Sequence, residues 1–122
     1  MHGATRLTSV TVERTASGAR EDLAIDALFS FIGAVPASGW LGECLVTDAD
    51  GFVLTDRDLD EDVLAGPSWV ALDRQPLPFE TSRPGVFAAG DVRSGSVKRV
   101  AAAVGEGSSA VRSIHEHLAA HG

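Results

Sequence analysis

An aspartate and two basic residues lie close to the start of a predicted helix. Residues 81–92 read T-S-R-P-G-V-F-A-A-G-D-V, a turn, a short apolar run, Gly90 and then Asp91. Glycine lets a ligand approach the backbone because it has no Cβ, and open α/β sheets bind ligands at the carboxyl ends of their strands. Lys98 and Arg99 follow, where helix amides favour negative charge. The pattern predicts a site for a ligand of negative character, unless the two cations simply reach into solvent.

The helix itself is predicted from apolar spacing. Steps of three and four residues, and their multiples, separate Val97, Val100, Val104, Val111, Ile114 and Leu118. This period indicates one long amphipathic helix, with Ser96 as its N-cap. Residues 105–110, G-E-G-S-S-A, match the dinucleotide-binding pattern G-x-G-x-x-A. Three preceding alanines favour helix over strand, and an acidic residue about 20 positions on is missing. We therefore predict two glycines within a helix, a placement that usually requires a close neighbour on that side.

Several strands are predicted upstream of the helix. Residues 6–25 alternate around an A-S-G turn at 16–18, which indicates a β-hairpin. Residues 26–33, D-A-L-F-S-F-I-G, form a short apolar run ended by glycine, typical of a buried strand. Short strands are also expected at 52–54, after a D-A-D-G turn, and at 86–89. One helix cannot cover both faces of a parallel sheet, so we expect the chain to lack part of its own fold.

Composition narrows the function classes. The chain has 122 residues and a formal net charge of -7, which argues against a nucleic-acid partner. No apolar run approaches the roughly 20 residues of a membrane span and no signal segment is recognisable, so we expect a cytoplasmic protein. Cys44 is the single cysteine and we predict it to be buried or partly buried, without a redox role. Residues 56–68 are acidic, but their oxygen spacing is not that of a calcium loop, and a solvated irregular loop is expected.

Residues 81–92 resemble the second FAD motif of flavoproteins with two dinucleotide-binding domains. Residues 26–36 are similar to the segment by which these enzymes return from the NADPH domain to the FAD domain. The motifs occur in the family's order, and the chain stops at Gly122 just after the last helix, as thioredoxin reductases do. The resemblance implies an α/β fold, the C-terminal half of an FAD domain with short strands and one long helix. Residues 1–25 would then be a remnant of the NADPH-binding domain, and residues 26–122 the C-terminal segment of the FAD-binding domain.

The same resemblance implies a set of cofactor contacts. Asp91 would hydrogen-bond the ribityl and phosphate part of FAD, and Gly90 would allow close approach. Lys98, Arg99 and Val100 would lie near the pyrimidine edge of the flavin ring. No residue of this chain is assigned a catalytic or metal-binding role.

The complete enzymes pass hydride from NADPH to FAD and then electrons to a disulfide, with a thioredoxin-like protein as partner and a homodimer as the expected assembly. This sequence contains no strand–G-x-G-x-x-G–helix for the ADP half of FAD, no NADPH fingerprint in context and no C-x-x-C pair. We therefore predict that it is inactive alone and requires a missing N-terminal portion or a complementing chain. The alternatives are a flavoprotein that reduces a ferredoxin-like partner or a quinone, and a non-catalytic remnant or acidic binding module.

Overall fold

The computed structural model describes residues 6–30 and 33–121, with side chains to residue 120. It divides into two compact units, residues 1–33 and residues 34–122.

The first unit contains the predicted hairpin. Strand β1 (Ser9–Glu13) pairs antiparallel with β2 (Arg20–Ala24), with Ser9 opposite Ala24. Gly18 adopts φ 68° in the turn, and its amide donates to the Arg14 carbonyl at 2.8 Å. Val10 is buried, whereas β2 is exposed throughout. The hairpin predicted for residues 6–25 is thus confirmed.

The strand predicted for residues 26–33 is not formed in the described part of that segment. Residues 26–30 have no strand structure, and Leu28 and Phe29 are 54% and 77% exposed. Phe31 and Ile32 lie outside the described residues. A strand requires a hydrogen-bonded neighbour, and β1 and β2 pair with each other in the only sheet of the described residues. Residues 26–30 therefore have no strand to pair with among the described residues.

The second unit is built from helices, turns and isolated bridges. Its strands predicted at 52–54 and 86–89 are reduced to single bridged residues, Val53 with Thr47 and Arg93, and Phe87 with Glu80. The D-A-D-G turn at 48–51 forms as predicted, with the Asp48 carboxylate accepting from two amides of its own turn. Buried apolar side chains are few among the described residues of this unit: Val53, Leu59, Trp69, Ala88 and Ala110. Hydrogen bonds and ion pairs must therefore contribute much of the stability of this unit.

Residues 56–79 form a long segment, here called the excursion, whose two ends meet at one place in the unit. The Asp56 amide donates to the Glu80 carbonyl at 2.8 Å, and the Phe79 amide donates to Asp56 Oδ2 at 2.9 Å. Asp56 and Phe79 both have left-handed backbone, with φ 36° and 67°. Together these contacts close the base of the excursion.

The excursion is more regular than expected. It contains a 3-10 turn (Asp56–Asp58), helix α1 (Glu61–Leu64) and helix α2 (Pro67–Val70). The prediction of an irregular loop at 56–68 is therefore wrong. Acidic residues in the first turn of α1 complement its dipole, and proline opens α2 where its missing N–H costs nothing.

A buried carboxylate, Glu80, holds the excursion to the rest of the unit. The side chain is fully buried, and Arg74 binds it through two bonds of 2.7 and 2.8 Å. The amides of Leu77 and Gly85 each donate to it at 2.8 Å. Burial alone would raise the pKa of Glu80, but these hydrogen bonds and the charge of Arg74 outweigh it and the pKa is lowered.

Arg74 connects Glu80 with two aromatic side chains. Its guanidinium lies 5.5 Å from the ring centroid of buried Trp69, and the Trp69 indole N–H donates to the Ser82 carbonyl at 2.9 Å. Arg74 Nη2 also lies 3.1 Å from Nδ1 of His117, whose ring meets Phe87 edge-on at 6.2 Å. Arg74, which lies in the excursion, thus neutralises the charge of Glu80, which lies outside it.

Helix α3 (Val100–His121) confirms the predicted long helix. It begins at Val100, so Ser96 lies four residues upstream and is not its N-cap. Its first bond runs from the Ala103 amide to the Arg99 carbonyl at 3.0 Å.

The face of α3 that packs is not its apolar face. The buried or half-buried side chains are mostly small or polar, and include Ala103, Glu106, Ala110, Ser113 and His117. At about 100° per residue, the larger apolar residues fall roughly a quarter-turn away and are exposed. We refer to them as the α3 apolar stripe: Val100, Val104, Val111, Ile114 and Leu118.

The two glycines predicted to lie within the helix do so, at Gly105 and Gly107. A Cβ added at either would meet nothing within 4 Å. The close neighbour expected for them is therefore absent from the described residues.

Cys44 is exposed, which corrects the prediction that it is buried. It follows a short 3-10 turn (Gly39–Leu41) on the surface, next to exposed Gly42 and Glu43.

Candidate functional site

The turn that carries Asp91 is packed directly on α3. Gly90 begins a 3-10 turn (Gly90–Val92) with φ 75° and is buried. A Cβ added to it would lie 3.3 Å from the Cβ of Ala103. The close approach that Gly90 allows in this structure is therefore to the helix.

Alanine at position 90 is expected to destabilise the fold more than alanine at position 95. Gly95 has a similar φ of 70°, but an added Cβ there meets nothing within 4 Å. Gly95→Ala should cost about 1 kcal/mol for the left-handed backbone, and Gly90→Ala about 1–3 kcal/mol more because the turn must also move off the helix. Urea unfolding measures both, and equal midpoints would contradict the packing role.

Glu106 joins this turn to the residues that follow it. Its Oε2 accepts from the Gly90 amide at 2.7 Å and from Arg93 Nε at 3.1 Å, and its Oε1 accepts from Arg93 Nη2 at 2.8 Å. The bond from Arg93, opposed by burial and assisted by the Gly90 amide, lowers the pKa of Glu106 to about 2. This carboxylate is charged at neutral pH.

Residues 92–94 are fixed on their other side by the 48–53 region. The Val53 amide donates to the Val92 carbonyl and the Ser94 amide to the Val53 carbonyl, both at 2.9 Å. The Ser94 hydroxyl donates to Asp48 Oδ2 at 2.7 Å and lowers the pKa of Asp48. The first part of the backbone between the turn and α3 is therefore anchored before any ligand is considered.

The residues predicted to bind a cofactor differ in their availability. Lys98 is engaged within the chain, because its Nζ donates to the Arg93 carbonyl at 3.0 Å and lies 4.0 Å from the ring centroid of Phe52. Asp91 and Arg99 are exposed, and neither side chain has a hydrogen-bond or ionic partner among the described residues. Val100 is 83% exposed. The structure thus presents one unpaired carboxylate, one unpaired guanidinium and the apolar start of α3.

Sequence reasoning missed the residues that build this arrangement. Glu106 lies between two glycines and resembles any solvated helix residue, and Arg93 follows the motif without a distinguishing pattern. The turn signal at 48–51 was visible, but its contact with Ser94 was not. Within residues 6–30 and 33–121 no cluster of three or more His, Cys, Asp or Glu side chains could hold a metal ion.

Comparison with known proteins gives the relationship. A curated relative from Treponema pallidum, named thioredoxin reductase, is 30% identical over 118 residues, which is 97% of this chain and 32% of that protein. The thioredoxin reductase of Listeria innocua is 26% identical over 93% of this chain and 29% of its own length. The chain is a homologue of one part of thioredoxin reductases. No family model matches it.

Solved structures give the same result. Thioredoxin reductase from Giardia duodenalis matches 98% of this chain and 33% of its own with a TM-score of 0.63 and 26% identity. The enzyme from Streptococcus pyogenes matches 97% of this chain and 32% of its own, with a TM-score of 0.60 and 25% identity. The resemblance predicted from the sequence is confirmed, as is a partial α/β fold with a long C-terminal helix.

The chain spans about a third of the thioredoxin reductases that it matches. That share is consistent with their C-terminal part. No helix within the described ranges has the length and apolar character needed to cross a bilayer.

Proposed function

We propose that this chain is the FAD-contacting C-terminal part of a thioredoxin-reductase-like oxidoreductase. The observation that carries the proposal is the pair of unengaged side chains, Asp91 and Arg99, on a backbone already anchored by Glu106 and Asp48. A rigid backbone that carries side chains without a protein partner costs little ordering energy when a ligand binds. Such preorganisation suits a cofactor that is held permanently.

The proposed contacts follow the chemistry of each group. The Asp91 carboxylate accepts hydrogen bonds from hydroxyls of the ribityl region. Arg99 and the first amides of α3 favour negative charge at the pyrimidine edge of the ring, and Val100 offers an apolar surface. Lys98 contributes through its main chain, because its ammonium group is occupied by Phe52 and the Arg93 carbonyl.

The chemistry that FAD supplies when bound is electron transfer from NADPH to a disulfide. This chain's own contribution is to bind and orient the cofactor and to tune the charge around its ring. With Cys44 as the sole cysteine, the disulfide step belongs to another part of the enzyme. We therefore propose that the isolated chain is inactive.

The α3 apolar stripe supports a need for further protein. Val104 and Leu118 are 68% and 58% exposed, and an exposed apolar row of this length is unusual on a self-sufficient domain. We propose that the missing FAD- and NADPH-binding portion, in the same chain or a complementing one, covers it. Residues 1–25 would belong to the NADPH-binding domain and residues 26–122 to the FAD-binding domain. The complete enzyme would be a cytoplasmic homodimer acting on a thioredoxin-like protein.

Co-expression with an N-terminal FAD- and NADPH-binding portion tests the flavin contact. The wild-type complex is expected to be yellow, and Asp91→Asn should raise the dissociation constant of FAD about 10- to 100-fold, the value of a hydrogen bond to a charged group. The matched control is Asp50→Asn, another exposed aspartate, which should change nothing. FAD absorbance and fluorescence titration provide the measurement.

Two outcomes would contradict the proposal. Equal FAD affinity in Asp91→Asn and wild type would remove the site assignment. The wild-type chain could instead be a colourless, cooperatively folded monomer that does not bind the N-terminal portion. That result would favour a non-catalytic binding module.

A further inference from the structure

One carboxylate connects the three pieces of the candidate site. Glu106 lies on α3 and accepts from the Gly90 amide, one residue before Asp91, and from the Arg93 guanidinium, at the start of the segment that ends at Arg99. The side chains of Glu106 and Arg93 are only 15% and 16% exposed. The ion pair is thus largely removed from solvent, where charge-assisted bonds are strong and directional.

We propose that Glu106 is a positioning residue for the flavin site, because its carboxylate binds both the turn that carries Asp91 and the Arg93 side chain to the same helix. The reference to flavin rests on the function proposed above. The fixing of the turn rests on the contacts alone.

The geometry favours positioning over general stabilisation. The Gly90 amide and Arg93 Nε share Oε2, while Arg93 Nη2 takes Oε1, so moving either partner disturbs the other. Arg93 is held in turn by Phe79, whose ring centroid lies 5.4 Å from the guanidinium. The Arg93 carbonyl also accepts a hydrogen bond from Lys98 Nζ. Loss of the carboxylate would therefore free the Gly90 amide and the Arg93 guanidinium. Val92 and Ser94 would stay bonded to Val53, and the Asp91 and Arg99 side chains would stay chemically intact.

Three variants separate this role from a mere loss of charge. Glu106→Gln keeps the shape but presents an amide N–H₂ toward Arg93. Glu106→Asp keeps the charge, but its shorter side chain cannot reach both partners. Glu116→Gln is the control, since Glu116 lies on the same helix and is exposed. Thermal melting followed by circular dichroism is the check that each variant is folded.

The first readout is amide hydrogen exchange by NMR on the 122-residue chain. In Glu106→Gln the Gly90 amide should exchange about 10-fold faster or more than in wild type, whereas Glu116→Gln should match wild type. Glu106→Asp should also exchange faster, although it keeps the charge. An unprotected Gly90 amide in the wild type, or equal exchange in all variants, would overturn the positioning role.

The second readout is FAD affinity of the co-expressed complex. Glu106→Gln should weaken binding about 10-fold, less than or equal to Asp91→Asn, and Glu116→Gln should not weaken it. Faster Gly90 exchange with unchanged FAD affinity would overturn the inference while Asp91→Asn still upholds the proposed function. If wild type binds no FAD, the proposed function fails, and exchange alone decides whether Glu106 fixes the turn.

Discussion

Replacement of Glu80 by alanine is expected to lower the free energy of unfolding by about 3–5 kcal/mol, the usual cost of breaking a buried ion pair from one side. The substitution leaves the Arg74 guanidinium and the amides of Leu77 and Gly85 without their acceptor. The whole free energy of unfolding of a natural domain is only about 5–15 kcal/mol. The second unit should therefore lose a large fraction of its stability, measured as a lower midpoint of urea denaturation followed at 222 nm.

Glu43→Ala is the matched control, because Glu43 is exposed and should change the stability by less than about 0.5 kcal/mol. The pKa of Glu80 is lowered in the folded state, so its contribution is present above its unfolded pKa of about 4.3 and is lost as pH falls through the folded value. As the pH falls below the unfolded pKa, the free energy of unfolding of the wild type should decrease, and that of Glu80→Ala should decrease less. A variant within 1 kcal/mol of wild type would show that Glu80 does not hold the unit.

Two aspartates introduced on the α3 apolar stripe should strongly weaken association with the complementing portion while leaving the fold intact. Burying a Val or Leu side chain contributes about 1.5–3 kcal/mol, so the double variant Val104→Asp/Leu118→Asp should weaken the complex about 100-fold or more. Both residues are more than half exposed in the chain, and its own melting temperature should change little. The isolated variant should also self-associate less than wild type in sedimentation experiments.

Val70→Asp gives the control for this prediction. Val70 is 65% exposed, close to the 68% of Val104, but it lies on α2 rather than on the stripe. Equal loss of association in the Val70 and stripe variants would indicate a general effect of charge. Unchanged association in the stripe variant would show that the complementing portion docks elsewhere.

The elements that the sequence predicted well are those determined by neighbours in the chain. The hairpin depends on alternation and a glycine turn. The 48–51 turn depends on the Asp48 carboxylate, which accepts from the amides of Asp50 and Phe52. Helix α3 depends on the spacing of its apolar residues. Each signal lies within a few residues of the element that it specifies, so no tertiary information is required.

The predictions that failed needed information from distant residues. The described part of the 26–33 segment, like residues 86–89, has strand-like composition, but a strand forms only where another strand accepts its hydrogen bonds. The spacing of α3 revealed an apolar face, yet small residues determine which face packs, because Ala103 lets the helix approach Gly90. Likewise, the pairing of Lys98 with Phe52 joins residues 46 positions apart in the chain. Family resemblance pointed to the segment that we propose as the site, but not to the Glu106 carboxylate that binds it to α3.

The closed base of the 56–79 excursion limits how this stretch of sequence can change in length. The cost of closing a loop grows slowly with its length, so insertions near exposed Ala65, between α1 and α2, should be inexpensive. A guest peptide there would leave the Asp56 and Phe79 contacts untouched. Deletion is different, because the excursion carries Arg74, the counter-ion of Glu80. A shortened protein that loses this arginine must neutralise position 80 at the same time, so the length of this segment and the charge of a residue outside it have to be altered together.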